Sequence, residues 1–265
     1  MKKIYRITML ALLCVFLTAT GCKKTNDPVS DPNVELGDYK NLKVTVEKGT
    51  VTEENVISYI NRMLEYNPGE ITYEELTDEY VKNNMQDQGY TSVQELKEAV
   101  SEYLNGTNDY YAQNNTRAAV VEKLTEICSV KEIDAEILQQ RVSEYEAQFK
   151  KNCKTQYNME FEEYLEMCQM TEEDFHEQSA KTMEQSLTEE LILLAIGEKE
   201  GIALDEKKYA EFVETMMQRY QYETEDALFE AFGKTYIENA CLCNQTLTML
   251  VENATVTYVA PGELD

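Results

Sequence analysis

The sequence has one histidine, His176, no tryptophan, four prolines and no cluster among its ten glycines. A lone histidine excludes a two-histidine metal site and an HExxH helix, and leaves no spare for a Ser/His/Asp relay. His176 lies two residues after Asp174 and precedes Glu177, so it reads as a solvated helix residue. Scattered glycines exclude a phosphate-cradling loop and a dinucleotide fingerprint. Carboxylates abound, but runs such as Glu53 and Glu54, Glu162 and Glu163, or Glu172 to Asp174 fall at exposed or capping positions. A glycosidase needs only two acids, yet the chain lacks the tryptophan that commonly stacks on sugars. These absences point away from an enzyme, and no cofactor and no metal are expected.

Positive charge is also scarce. Twenty-four basic residues face fifty acidic ones, a net charge of −26. Such a chain repels phosphate backbones and anionic headgroups, so nucleic acid is not an expected partner, nor is a membrane held through a basic patch.

The N-terminus reads as a lipoprotein signal. Lys2, Lys3 and Arg6 precede the apolar stretch from Met9 to Leu17, then Ala19, Thr20 and Gly21 lead to Cys22. The stretch is too short to span a bilayer. Residues 1–21 are expected to be removed, with Cys22 acylated and the net charge passing from −26 to −29. Residues 22–35 read as a tether, 36–259 as the helical domain and 260–265 as a tail. The expected location is the extracytoplasmic face of the cell membrane, held by the lipid.

Cys128, Cys153, Cys168, Cys241 and Cys243 follow the anchor. An odd number at irregular spacing is not a disulfide framework. Two residues apart on a helix, Cys241 and Cys243 point to nearly opposite sides, which suits small buried hydrophobes better than a bridge or a shared metal.

From Gly69 to Ala260 there is no proline. The tract is punctuated by N-cap signals: Thr77, Ser92 with Glu95, Asp134, Thr171 with Asp174, Asp205 and Thr224 each precede a helix-period apolar stripe. Thr52 caps an earlier helix carrying Val56, Ile60, Met63 and Leu64. Asn105 and Gly106 either break one long helix or are tolerated inside it. Leu42, Val44 and Val46 alternate with polar residues, and Thr255 to Val259 follows a last helix, giving one short strand near each end. The fold class is all-α.

The sequence has eighteen tyrosines and eleven methionines, most of them along these helices. Methionine adapts to differently shaped partners, and tyrosine offers apolar area with a polar tip. Tyr110, Tyr111, Tyr145, Phe149, Tyr157, Met159, Tyr164, Met167, Met170, Met216, Met217 and Tyr220 are therefore the candidate peptide-binding residues.

Two stretches carry a family resemblance: LGDYKNLKVTVEKGTVTEENVISYINRML (Leu36 to Leu64) and ITYEELTDEYVKNNMQDQGYTSVQELKEAVSEYL (Ile71 to Leu104). RAAVVEKLTEICSVKEIDAEILQQRV, FEEYLEMCQMTEEDF, LILLAIGEKEGIALDEKKYAEFV and LTMLVENATV follow in order. The arrangement resembles the helical C-terminal chaperone domain of trigger factor and, more loosely, helical domains of the SurA and PrsA type. The resemblance implies an elongated helical body whose two arms cradle unfolded polypeptide, with the helices from Asp134 and Thr171 as the arms. Only eleven residues separate Leu64 from Leu76, too few for an FKBP-like isomerase domain, and no parvulin-like domain is found. The ribosome-binding domain is also missing, so the ribosome is not an expected partner. The expected function is an extracytoplasmic, membrane-anchored holdase for unfolded or newly secreted polypeptides, and an enzyme is not favoured. The alternatives are a prolyl isomerase-type foldase and an assembly lipoprotein with one fixed protein partner.

Overall fold

The structure, a computed structural model, describes residues 33–66 and 71–264. The signal, Cys22, most of the tether and Pro68 with Gly69 lie outside the described residues. Nine α-helices are present among the described residues: α1 Glu53–Glu65, α2 Asp78–Asn84, α3 Val93–Ile127, α4 Ala135–Tyr157, α5 Phe161–Cys168, α6 Glu172–Lys199, α7 Glu206–Tyr220, α8 Glu225–Phe232 and α9 Lys234–Asn253. Four short strands join them: β1 Val34–Glu35, β2 Lys43–Glu47, β3 Ser129–Val130 and β4 Thr255–Val259. The fold is all-α, as the capping pattern indicates. β1 and β3, two residues each, were not expected; they pair antiparallel, Val34 opposite Val130.

The capping residues do what their chemistry predicts. Thr52, Thr77, Thr171 and Thr224 each accept a backbone N–H from the third residue on, and the Asp134 carboxylate accepts two, from Glu136 and Ile137. Thr171 and Asp174 close a reciprocal capping box. At Ser92 the box is displaced: its hydroxyl accepts from the Glu95 N–H, but the Glu95 carboxylate turns to the N–H of Thr91, 2.8 Å away. Asn105 and Gly106 sit inside an unbroken 35-residue α3, where the Asn105 amide donates to the Ser101 carbonyl.

The described chain forms two compact units. The first joins the segment ending at Leu42 to Val120–Thr255. Its centre is α6, which packs against α4 and α9. The α4 contacts run from Phe175 beside Phe149 to Glu190 beside Arg141, so the two helices are antiparallel. The helices expected as the two arms, from Asp134 and Thr171, thus pack against each other, with Phe149 and Phe175 between them and α5 covering the same rings. A second apolar cluster is built by α7, α8 and α9. Cys241 and Cys243 are both buried, although they leave α9 on different sides. Cys243 lies against α6 beside the Glu190 carbonyl, while α7 and α8 also cover α9.

Two close approaches lock this unit. A Cβ on Gly197 would come 2.6 Å from the Thr246 hydroxyl oxygen across the α6–α9 contact. A Cβ on Gly37 would overlap the Ile127 backbone carbonyl, which cannot rotate away. Gly37→Ala is expected to cost about 1–3 kcal/mol as overpacking, read as a lower urea midpoint at unchanged slope.

The buried Tyr39 donates its hydroxyl to Glu200 Oε1 at 2.6 Å, and Lys40 Nζ reaches the same oxygen at 3.0 Å. Burial and then the Glu200 carboxylate push the Tyr39 phenol up to about 12. Tyr39, followed by Lys40, holds Glu200 below its ordinary value of 4.5. A phenol raised on folding contributes stability that is complete below its unfolded value near 10 and is lost as pH climbs through about 12. A depressed carboxylate contributes above 4.5, and that contribution is lost as pH falls through its lowered value. Tyr39→Phe is expected to cost roughly 1 kcal/mol at neutral pH and to flatten the acid limb of the stability profile, measured by urea unfolding across pH.

The second unit comprises Lys43–Ala119 and Val256 onward. Its core joins Val56, Ile60 and Leu64 of α1 to Val81 and Met85 at α2 and to Leu96 and Val100 of α3. β2 pairs with β4. The Thr255 N–H donates to the Leu42 carbonyl at 2.8 Å and the Lys48 N–H to the Val259 carbonyl at 2.9 Å. Both strands ascend between these bonds, so the pairing is parallel, with most of the chain as its crossover. Exposure agrees with that register: Lys43, Thr45, Thr255 and Thr257 share the solvent face, while Val44 and Val46 are buried on the other beside Val256.

Candidate binding surfaces

The twelve candidate residues fall into three places. In the first, α4 brings Tyr145, Phe149 and Cys153 against Phe161, Tyr164 and Leu165 of α5, with Met170 and Phe175 at the start of α6. Phe149 is the hub. Its ring centroid is 4.9 Å from both Tyr164 and Phe175 and 6.3 Å from Phe161, distances at which tilted and edge-on aromatic pairs attract. Tyr145, Phe149, Tyr164 and Met170 are half-buried partners of this cluster. Tyr157 and Met167 are different: they stay 67% and 63% exposed, with Met159 half-buried near them in sequence.

Electrostatics keep this cluster neutral. Burial, then a hydrogen bond with Cys168, pushes the Tyr164 phenol up to about 12, and burial raises Tyr145 and Cys153 as well. Cys168 is exposed, whereas the other four described cysteines are buried.

The second place is the α7–α8–α9 cluster. Met216 is only 7% exposed and belongs to the core with Val213, Leu228 and Ile237, so it is no surface residue. The reason is spacing: Tyr209, Val213, Met216 and Tyr220 follow one helix face, and that face packs inward. Met217 and Tyr220 are half-buried on the same cluster, with the Tyr220 ring 5.1 Å from Phe232.

The third place is the middle of α3. Tyr110 and Tyr111 are 59% and 60% exposed and touch each other edge-on at 5.8 Å. Sequence reasoning overlooked Tyr103, seven residues before Tyr110 and so on the same helix face, whose exposed ring lies 5.3 Å from Tyr59 of α1. The intervening residues include one charge, Asp109, already paired with Lys48 at 2.6 Å. It also overlooked Tyr66 and Tyr258, both exposed. The alternation of β4 places Tyr258 on the inward face with Val256, so its exposure was not readable from the strand pattern.

A depression of about 300 Å³ lies between α1 and α3, lined by Val51, Glu53, Val56, Gln94, Lys97 and Glu98 among others. Its polar groups are already engaged, Lys97 with Glu53 at 2.8 Å and Gln94 with Glu98 at 2.6 Å. Among the described residues no group of three or more His, Cys, Asp or Glu is placed to hold a metal ion, and no helix is long and apolar enough to cross a membrane. His176 is exposed, with Nδ1 2.7 Å from Glu146 Oε1.

What these surfaces share is non-covalent capacity: neutral rings and thioethers on rigid helices, suited to contact with apolar segments. The family model for the bacterial trigger factor C-terminus matches residues 92–252, and the chain belongs to that family. It is 24% identical over 185 residues to the trigger factor of Caldicellulosiruptor saccharolyticus, covering 69% of this chain and 41% of that protein. It is 28% identical over 184 residues to the trigger factor of Clostridioides difficile, covering 68% and 42%. The chain thus spans about two fifths of the length of these relatives. A solved trigger factor chaperone, described for promiscuous substrate recognition in folding and assembly, is similar over 83% of this chain and 72% of that one, at 16% identity and a TM-score of 0.45. A hypothetical Mycoplasma protein, MPN555, is similar over 87% and 93% of the two chains, at 8% identity and a TM-score of 0.38.

Proposed function

We propose that this protein is a holdase: it binds unfolded polypeptide reversibly and makes or breaks no covalent bond. The observation that carries the reading is a trigger factor C-terminal body whose helices leave Tyr103, Tyr110, Tyr111, Tyr157 and Met167 more than half exposed. Exposed aromatic and thioether side chains gain free energy by covering the apolar segments of an unfolded chain. The net charge of −26 repels other copies and favours basic clients. At an equal molar ratio the purified protein is expected to suppress light scattering by a chemically denatured client diluted from urea, and absence of suppression overturns the reading.

The leader and Cys22 support a location for this activity: a lipid-anchored protein at the extracytoplasmic face, meeting clients as they leave the secretion channel. Expressed in a bacterial host fed labelled palmitate, the protein is expected to carry label in the membrane fraction, and Cys22→Ser to lose it. Label that persists in the variant, or an unlabelled wild type, contradicts the anchor while leaving the holdase reading intact.

A further inference from the structure

The register of the β2–β4 ribbon decides which way each backbone group of β4 points. In parallel pairing Thr255, Thr257 and Val259 direct both N–H and C=O toward β2, as the bonds to Leu42 and Lys48 show at either end. Val256 and Tyr258 must therefore direct theirs away. The ribbon has two strands, and among the described residues no hydrogen-bond partner is assigned to those outward groups.

Native proteins blunt such an edge with charge, proline, a bulge or a covering element. The strand itself supplies neither charge nor proline: Thr-Val-Thr-Tyr-Val is uncharged, free of Pro and Gly, and made of residues that favour extended backbone, in a chain in which 28% of residues are charged. Tyr258 shares the face of Val44 and Val46. Its ring is 49% exposed, and Lys48 Nζ lies 5.3 Å from its centroid. An added strand would cover that ring.

We propose that the outer edge of β4 is a strand-addition site, where an extended segment of unfolded polypeptide pairs with the N–H and C=O groups of Val256 and Tyr258. Backbone pairing accepts any extended sequence, which suits a binder of diverse clients. The occupant is a foreign chain rather than a second copy, because the net charge of −26 opposes self-association whereas an unfolded client is free to carry the opposite sign. The proposal rests on the holdase reading and deepens it by naming the binding mode.

The test uses a fluorescent peptide of alternating Val and Thr ended by Lys, and the same peptide N-methylated at every second residue. N-methylation removes donors and keeps side chains, so it is expected to weaken binding at least tenfold by the order of magnitude of lost backbone hydrogen bonds. Tyr258→Pro, which deletes an N–H not used by the β2 ladder, is expected to lose the same factor with unchanged circular dichroism, and Tyr258→Phe to retain binding. Equal affinity for the two peptides, or full binding by a folded Tyr258→Pro, overturns the proposal. A dimer that Tyr258→Pro dissolves, with no peptide binding by the wild type, also overturns it in favour of a second copy. If Tyr258→Pro still suppresses client aggregation as wild type does, the edge fails and the holdase reading stands; failure of the wild type to suppress aggregation removes that reading itself.

Discussion

Phe175→Ala is expected to lower unfolding free energy by about 3–5 kcal/mol, the usual cost of deleting a buried aromatic ring. Phe175 is almost fully buried and faces two other rings, Phe149 at 4.9 Å and Phe161 at 5.0 Å. It is the only phenylalanine of α6 and ties that helix to both α4 and α5. Removing it leaves a void lined by Phe149 of α4 and Phe161 and Leu165 of α5, side chains fixed on two helices that cannot both close in. Since a domain is held by only about 5–15 kcal/mol, the loss is a large share of the total. Hydrogen exchange is expected to show where it falls: amides of α4 and α5 lose protection, while α1 and the first half of α3, built on the separate Val56–Ile60–Leu64 core, keep theirs. Uniform loss across both units contradicts this assignment.

Replacing Tyr110, Tyr111, Tyr157 and Met167 together by serine is expected to weaken binding of an unfolded client by about 10–100-fold, since a few aromatic anchors carry most of a contact surface's energy. Each is more than half exposed, so each substitution should change stability by no more than about 0.5 kcal/mol. Calorimetric titration with a permanently unfolded client reads the first effect and urea unfolding the second. Met216→Ser is the informative contrast. Its side chain lies in the α7–α8–α9 core, so stability is expected to fall by about 2–4 kcal/mol before any binding contact is touched.

The fold was legible wherever local chemistry decides structure. Thr52, Thr77, Asp134, Thr171, Asp205 and Thr224 each cap the helix their spacing announces, and the two strands near the ends exist. That these strands pair with each other was not readable, because their register depends on everything folded between Glu47 and Thr255. β1 and β3 are too short for alternation to show. α5 is eight residues long and ends at Gln169 in the left-handed region, φ 54°, where no glycine marks the stop.

The binding residues were only partly legible. A helical stripe of Tyr and Met shows which residues share a face and not whether another helix covers it, which is why Met216 and Tyr157 looked alike. Only tertiary packing separates them. Tyr103 was overlooked although its seven-residue spacing from Tyr110 was there to read, and the unpaired edge of β4 required the register.

The central claim is reversible capture of non-native chain by exposed aromatic and thioether side chains. Fluorescence anisotropy of one labelled client, compared as a permanently unfolded variant and as its native fold, tests it most directly. The expected result is saturable, reversible binding of the unfolded form alone; equal affinity for both forms, or none for either, contradicts the account.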